Sequence, residues 1–342
     1  MNKKVITTLC LLFLAIVFGY VYHATRQQNT DKPSVVKFAR MIGTDEDIPI
    51  IVAQKMKIFD KHEISVEIVP FSSETDMIQA ITTNRVDLAV NWPSIFIFPI
   101  AKGAPIKIIA SLTKISIHLF TRPNEIKTIN DLIGRKVATK IGGGPWFALR
   151  SILKSLNIGF DKVEFVELSG EFRPIALLTQ KTVDAVLEDP LKTNKYLRLG
   201  AVVLEEWQTK GYLDKLFPDE SIAANTNFLS DHKREAEAFI NALIESEQYI
   251  ATHPDEAAEI MFEQLNEEAS GESSITVQDI KDGWSEGRVL CTWYDPAEIV
   301  EIAKVLKDNG DISKELTKDD IFYSGFEDKL KLAQLKPCET QN

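Results

Sequence analysis

The chain has 342 residues, enough for two domains of ordinary size with cores of their own. Hydrophobic residues make up 44% and charged residues 26%, which excludes both wholesale disorder and a polytopic membrane protein. The 50 acidic residues outnumber the 39 basic ones for a net charge of -11, and no Lys/Arg cluster carries interleaved aromatics, so nucleic acid is excluded as a partner.

Lys3 and Lys4 precede an uncharged stretch at residues 5–22, which as a helix would be roughly 27 Å long, close to a bilayer core and longer than a usual signal-peptide core. It reads as an export element over residues 1–24. An uncleaved membrane anchor is favoured over a signal peptide cut after Gly19, because Tyr20, Tyr22 and His23 suit a cleavage site poorly. The positive charges ahead of the helix place everything after it outside the cytoplasm. Cys10 follows Leu9 and not a small residue, so it is no lipid attachment site. Residues 25–33, polar and containing Pro33, form a tether.

Strands are predicted at 35–39, 64–69, 87–90 and 106–110, alternating with helices after Asp47 and Pro49, at 75–83 and towards Ala101. Such alternation implies crossovers and a largely parallel sheet. An extended run at 116–121 leads to a second block. Its strands are predicted at 136–139, 163–168, 183–187 and 202–204, with a glycine turn at 142–145 and helices at 146–156 and from about Pro174 and Pro190. In the first of these helices Leu149, Ile152, Leu153 and Leu156 make a buried stripe. Beyond Asn225 only helices are expected, at 231–251, 254–265, 277–286 and 296–307. Ala236, Phe239, Ile240 and Leu243 give the first of them one core-facing side. Cys291 and Cys338 either pair, tying the C-terminal tail to the body, or stand as separate thiols.

Enzyme motifs are thin. Ser151 and Lys154 fit a Ser-x-x-Lys pattern without its companion motifs, and Ser151 reads as a solvated position. His23, His62, His118, His232 and His253 lack partners at metal-ligand spacing and read as isolated surface residues. The glycines are not followed by Lys-Ser/Thr, as a phosphate-cradling loop would be. No metal or cofactor is expected.

What remains is a set of loops beyond the carboxyl ends of strands, where open parallel sheets hold ligands. Two belong to each block, and a cleft between the blocks would gather all four. The first offers Arg40 as a counter-charge for an anion, and Asp45 beside Glu46 and Asp47 for a cationic group; the three acids read equally well as a solvated helix start. The second offers Asn91, Trp92 and Ser94, otherwise a helix cap and a core aromatic. The third offers Lys140, the backbone of Gly142, Gly143 and Gly144, and Trp146; its glycines would otherwise only supply positive φ. The fourth offers Glu188 and Asp189, the latter equally a cap before Pro190. Trp293 and Tyr294 suit cleft or core.

In order, residues 50–59, 64–69, 83–89 and 101–112, then 134–138, the glycines, 181–190, 228–239 and 253–258, resemble the solute-binding proteins of nitrate/sulfonate/taurine ABC importers, within the thiamine-pyrimidine-synthase-like superfamily. That resemblance implies an α/β chain with a type II periplasmic-binding-protein fold: two α/β lobes and a helical C-terminal region returning to lobe 1. Lobe 1 would span 34–120 and 222–330, lobe 2 would span 121–221, and 331–342 would be a tail. It implies an extracytoplasmic protein, in the periplasm or on the outer face of the inner membrane. There it would capture a small molecule between its lobes and deliver it to an ABC permease, without catalysis. Gly143 stands where many members carry a hydroxyl, and the acids near both lobes suit a cationic or neutral ligand. The alternatives are a thiamine-pyrimidine-synthase-like enzyme, whose cysteine cluster has no counterpart here, and a membrane-tethered receptor or scaffold.

Overall fold

Apolar residues alternating with polar ones at the start of the folded region leave Val36 and Phe38 buried and Val35 exposed, so this segment becomes a strand with one face in a core. The computed structural model describes residues 34–334, apart from 46, 169, 171, 210–216, 272–274, 287, 294 and 309. The expected export element and tether, Tyr294 and Cys338 therefore lie outside the described residues.

In chain order the strands are β1 (Ser34–Met41), β2 (Ile64–Phe71), β3 (Leu88–Asn91), β4 (Ile106–Ser111), β5 (Thr113–Ile115), β6 (His118–Thr121), β7 (Lys136–Thr139), β8 (Glu164–Glu167), β9 (Ala185–Glu188), β10 (Val202–Val203), β11 (Phe217–Pro218), β12 (Ser221–Asn225) and β13 (Arg288–Leu290). The helices that matter below are α1 (Ile48–Lys55), α2 (Glu74–Thr82), α3 (Pro93–Ala101), α4 (Gly144–Ser155), α5 (Lys233–Thr252), α6 (Pro254–Glu268), α7 (Val277–Glu286) and α8 (Pro296–Asp308).

The first sheet has the order β2-β1-β3-β12-β4 and the second β10-β6-β9-β7-β8. β1 runs parallel to β2 and β3, as β7 does to β8 and β9. The sheets are mixed rather than largely parallel, however. β12 enters the first sheet antiparallel to β3 and β4, and β6 lies antiparallel to β9 in the second. Both exceptions come straight after the chain crosses between sheets, where a strand enters without the helical crossover that parallel pairing needs.

A third sheet, β11-β5-β13, carries both crossings. Its strand β13 corrects the expectation of an all-helical end. Three residues are too short to show a period of two, and only pairing with β5 makes them a strand.

The first core gathers Phe38, Phe96, Ile108, Phe239 and Leu243. Phe239 of α5 stacks on Phe38 at 5.7 Å and on Phe59 at 5.8 Å, so the C-terminal helical region does return to the first lobe. The second core holds Leu119, Val137, Leu149, Ile152, Leu153 and Leu187. Leu156, expected in the same stripe, ends the helix and is exposed. Leu191, from the second lobe, is buried with Ile48, Ile51 and Ile280 of the first. Beside it Arg198 pairs with Asp279 at 3.0 Å and Asn194 with Asp282 at 2.8 Å, fastening the lobes on that side.

Candidate functional site

β1 ends in a loop whose shape is set by Arg40. This side chain is 1% exposed. Its Nε and Nη2 both engage Asp47, the second at 3.1 Å, while Nη1 pairs with Glu268 of α6 and Nη2 also donates to the Thr44 carbonyl at 3.0 Å. Burial opposes the charge on Arg40, but the carboxylates of Asp47 and Glu268 more than restore it and raise its pKa above the usual value. The guanidinium is thereby engaged inside the protein, which corrects its reading as a counter-charge waiting for an anion. Asp45 and Asp47 are each 1% exposed, so they are not a solvated helix start, and Asp47 does not use its side chain to cap α1. The missed partner, Glu268, lies 228 residues from Arg40, a separation at which local spacing carries no signal.

β3 delivers Asn91 and Trp92 to the seam between the lobes, and Pro93 sets the first turn of α3. Asn91 Oδ1 accepts from the Trp92 amide at 2.8 Å. The indole Nε1 donates to Asp219 Oδ1 at 3.1 Å, and the Thr113 hydroxyl donates to Asp219 Oδ2 at 2.9 Å, so the ring is moored to the crossing region.

From the second lobe, the turn after β7 meets this edge. Ser94 Oγ donates to the Gly142 carbonyl at 2.7 Å. Lys140 pairs with Glu74 at the start of α2, and its ammonium lies 5.1 Å from the centroid of a Trp92 ring. Of the three glycines only Gly142 has positive φ, at 83°. Gly143 is needed for space: a Cβ there would stand 2.3 Å from Cζ3 of Trp92. A hydroxyl-bearing side chain at this position and the Trp92 ring exclude one another.

Around these residues lie two cavities that share Trp92. The inner one, about 160 Å³, is bordered by Thr44, Glu74, Asn91, Trp92, Lys140 and Glu220, with Asp47 at its back. The outer one, about 410 Å³, lies between the start of α3, α4 and α8 and includes Ser94 and Gly144 in its wall. The sequence reading missed Glu74 and Glu220. Glu74 follows β2 and its capping residue Ser73, so the same strand-end rule would have found it. Glu220 lies on the second crossing, where no motif marks it.

The other expected residues lie elsewhere. Trp146 lines neither cavity. It meets Phe147 at 4.8 Å and Phe160 at 5.2 Å edge-on, with the Arg150 guanidinium 4.7 Å from its ring. Trp146 and Arg150 are four residues apart, and that face of α4 turns to the aromatic cluster. Trp293 is buried against Phe322 at 5.5 Å, in the first core.

Glu188 is 2% exposed and internally satisfied. Arg173 Nη1 donates to both its oxygens at 3.1 and 3.0 Å, Lys192 lies at 3.0 Å and the Tyr196 hydroxyl donates at 3.3 Å. Asp189 accepts from Lys192 at 3.2 Å. Burial disfavours the charge on Lys192, but Asp189 and Glu188 outweigh it and raise its pKa. Burial, followed by the charge of Glu188, raises that of Tyr196. The i, i+4 spacing of Glu188 and Lys192 was a readable signal for this network. Beside it lies His118, 5% exposed, which corrects its reading as a surface histidine. Its Nδ1 shares a hydrogen bond with Thr193 Oγ1 at 2.7 Å, and burial lowers its pKa to about 4, partly opposed by Asp189.

Among the described residues no group of three His, Cys, Asp or Glu is placed to hold a metal ion, and no helix is long and apolar enough to cross a membrane. Ser151 is exposed, and the partner given by geometry for Lys154 is Glu301 at 3.9 Å. Cys291 is buried and disulfide-bonded.

Residues 45–257 match the family model described as NMT1/THI5 like. The chain belongs to the NMT1/THI5-like family. A Haemophilus influenzae protein whose name assigns it to thiamine biosynthesis is 28% identical over 215 residues, 61% of this chain. The match spans 66% of that relative's own length, just under two thirds. The periplasmic aliphatic sulphonate binding protein SsuA from Escherichia coli matches with a TM-score of 0.70 at 17% identity, over 85% of this chain and 98% of its own. The periplasmic nitrate-binding protein NrtA from Synechocystis PCC 6803 matches at 0.67 and 14% identity, over 88% and 89%. The desulfurization enzyme DSZB also shares the fold, at 0.64 and 11% identity over 87% and 99%. These likenesses establish the type II periplasmic-binding-protein fold for this member of the NMT1/THI5-like family. The fold carries binding proteins and at least one enzyme, so the chemistry must be argued from the site.

Proposed function

We propose that this protein is an extracytoplasmic solute-binding protein that captures a small molecule between its lobes and presents it to the permease of an ABC importer. One observation carries the reading: the inner cavity takes walls from both lobes, with Trp92 and Glu74 on one side and Lys140 on the other. A solute held there touches both lobes at once and so favours the closed arrangement over an open one.

With Arg40 counted behind Asp47, the three carboxylates of Asp47, Glu74 and Glu220 still exceed the two cations Arg40 and Lys140, which suits a neutral or cationic solute rich in hydrogen-bond donors, with a flat face for Trp92. A nitrogenous ring fits that description, and the name of the Haemophilus influenzae relative points to the same chemistry. We assign no catalytic role, because the cavity wall offers carboxylates already paired to Arg40 and Lys140 rather than an activated nucleophile. The lobe limits 34–120 with 222–330 and 121–221, anchoring through residues 5–22, and pairing of Cys291 with Cys338 belong to the same proposal.

Thermal unfolding in the presence of nitrate, sulfonates, amino acids, polyamines and pyrimidines tests it. A raised Tm with a pyrimidine or a polyamine is expected, because a solute that binds only the folded state stabilises it. Turnover of any of these compounds would overturn the non-enzyme assignment, and preference for nitrate or sulfonate would overturn the charge argument.

A further inference from the structure

Trp92 divides two spaces of different polarity. The inner cavity sets Glu74, Asn91, Lys140 and Glu220 beside Met41, Ile42 and Val90; the outer is more apolar, walled chiefly by Pro93, Phe147, Ala148, Pro218, Ile302 and Val305. The polar groups at the outer pocket are largely committed. Ser94 donates to Gly142, and Glu298 pairs with Lys114 at 2.7 Å. Glu301 lies at the exposed rim beside Lys154.

Two helices face each other across this space. α4 contributes Gly144, Phe147, Ala148 and Ser151 at i, i+3, i+4 and i+7, the stripe with which a helix normally packs on a partner, and α8 contributes Ala297, Ile302 and Val305. A cavity of about 410 Å³ lies between these stripes, and the two helices meet at its rim through Lys154 and Glu301. Water against such walls finds few partners, so displacing it with apolar atoms is favourable. One wall belongs to each lobe, so an occupant there would add to closure just as one in the inner cavity does.

We propose that the outer pocket is a second compartment of the same ligand site. The solute is then a two-part molecule. A polar or cationic head sits in the inner cavity, and an apolar or aromatic group reaches past the edge of Trp92 to lie against Phe147, Ile302 and Val305. The relative volumes support this, because about 160 Å³ holds little more than a small head group. This inference rests on the inter-lobe binding reading.

Wild-type protein and two variants that fill the outer pocket, Ser151→Trp and Ala297→Trp, are incubated with the small-molecule fraction of a cell extract. Each is freed of unbound solute, and what it retains is read by mass spectrometry and titrated calorimetrically. Both positions are exposed, so the variants keep the fold, which an unchanged Tm without solute confirms. The expected result is a compound with a polar head and an apolar extension, bound at least about tenfold more weakly by both variants. A compact compound bound equally by all three proteins overturns the two-part inference and leaves inter-lobe binding standing, as does an extended compound that ignores the substitutions. Retention of nothing by any of the three overturns both.

Discussion

Trp92 and Gly143 occupy mutually exclusive volumes: any Cβ at Gly143 would enter the six-membered ring of the indole, 2.3 Å from Cζ3. The two residues come from different lobes, so the pair is a lock across the seam: while the ring stands at 92, only glycine fits at 143. Gly143→Ser should displace the ring or part the lobes and cost about 1 to 3 kcal/mol by the usual penalty for overpacking. In a Trp92→Ala background the same serine should be nearly neutral. A double-mutant cycle by urea unfolding measures this coupling, and simple additivity would disprove the lock.

Trp92 and Trp146 separate ligand contact from structure. Trp92→Leu should weaken solute binding about tenfold or more, because the ring borders both cavities, and cost about 1 kcal/mol of stability through the lost bond to Asp219. Trp146→Leu should lower stability by about 1 to 3 kcal/mol through loss of its aromatic and Arg150 contacts, and leave affinity unchanged. Titration calorimetry beside chemical denaturation reads both effects.

Arg40 neutralises two carboxylates in the interior. Arg40→Met should destabilise the protein by about 3 to 5 kcal/mol at neutral pH, since it leaves Asp47 buried without its partner. The loss should shrink in acid, where the orphaned carboxyl takes up a proton. Equal destabilisation at pH 7 and at about pH 4 would contradict the pairing.

His118 gives a pH dependence whose sign is fixed. Its folded pKa of about 4 lies below the ordinary 6.5, so the unfolded chain takes up the proton first. Its contribution to stability is complete above pH 6.5 and is lost as pH falls towards 4, a total of roughly 2 to 4 kcal/mol. His118→Gln should flatten that part of the stability curve. A wild-type curve already flat there would show that the imidazole titrates normally.

Lys140 and Glu74 tie the lobes through a half-exposed pair. Lys140→Ala should change Tm little, in keeping with the small worth of exposed pairs, yet widen the lobe spacing seen by small-angle scattering. An unchanged scattering curve in both high and low salt would show that the pair does not hold the seam.

Much of the architecture was readable because each element carried its own pattern. β7 lies where alternation and its glycine turn put it, and the stripe on α5 led directly to Phe239 on Phe38. The strand-end rule brought Asn91, Trp92, Ser94, Lys140 and the glycines to one seam. It failed at Arg40 and Glu188, which also end strands but spend their charges on Asp47, Glu268, Arg173 and Lys192. Whether a charged strand-end residue faces solvent or an internal partner depends on side chains far away in sequence, as Glu268 is from Arg40. β13 and the inward turn of His118 were hidden for the same reason: both exist only through tertiary pairing.

β13 also gives the C-terminal third of the chain a mechanical part. It hydrogen-bonds along β5, the first connection, which pairs on its other edge with β11 of the second, so the two connections about which the lobes would swing and β13 form one ribbon centred on β5. Bending across such a ribbon is easy, whereas shearing it breaks its ladder. Opening should therefore follow a single hinge axis, and a chain cut before Arg288 should lose both the direction of that motion and the part of the first core built by Trp293, Ile299, Leu306 and Phe322.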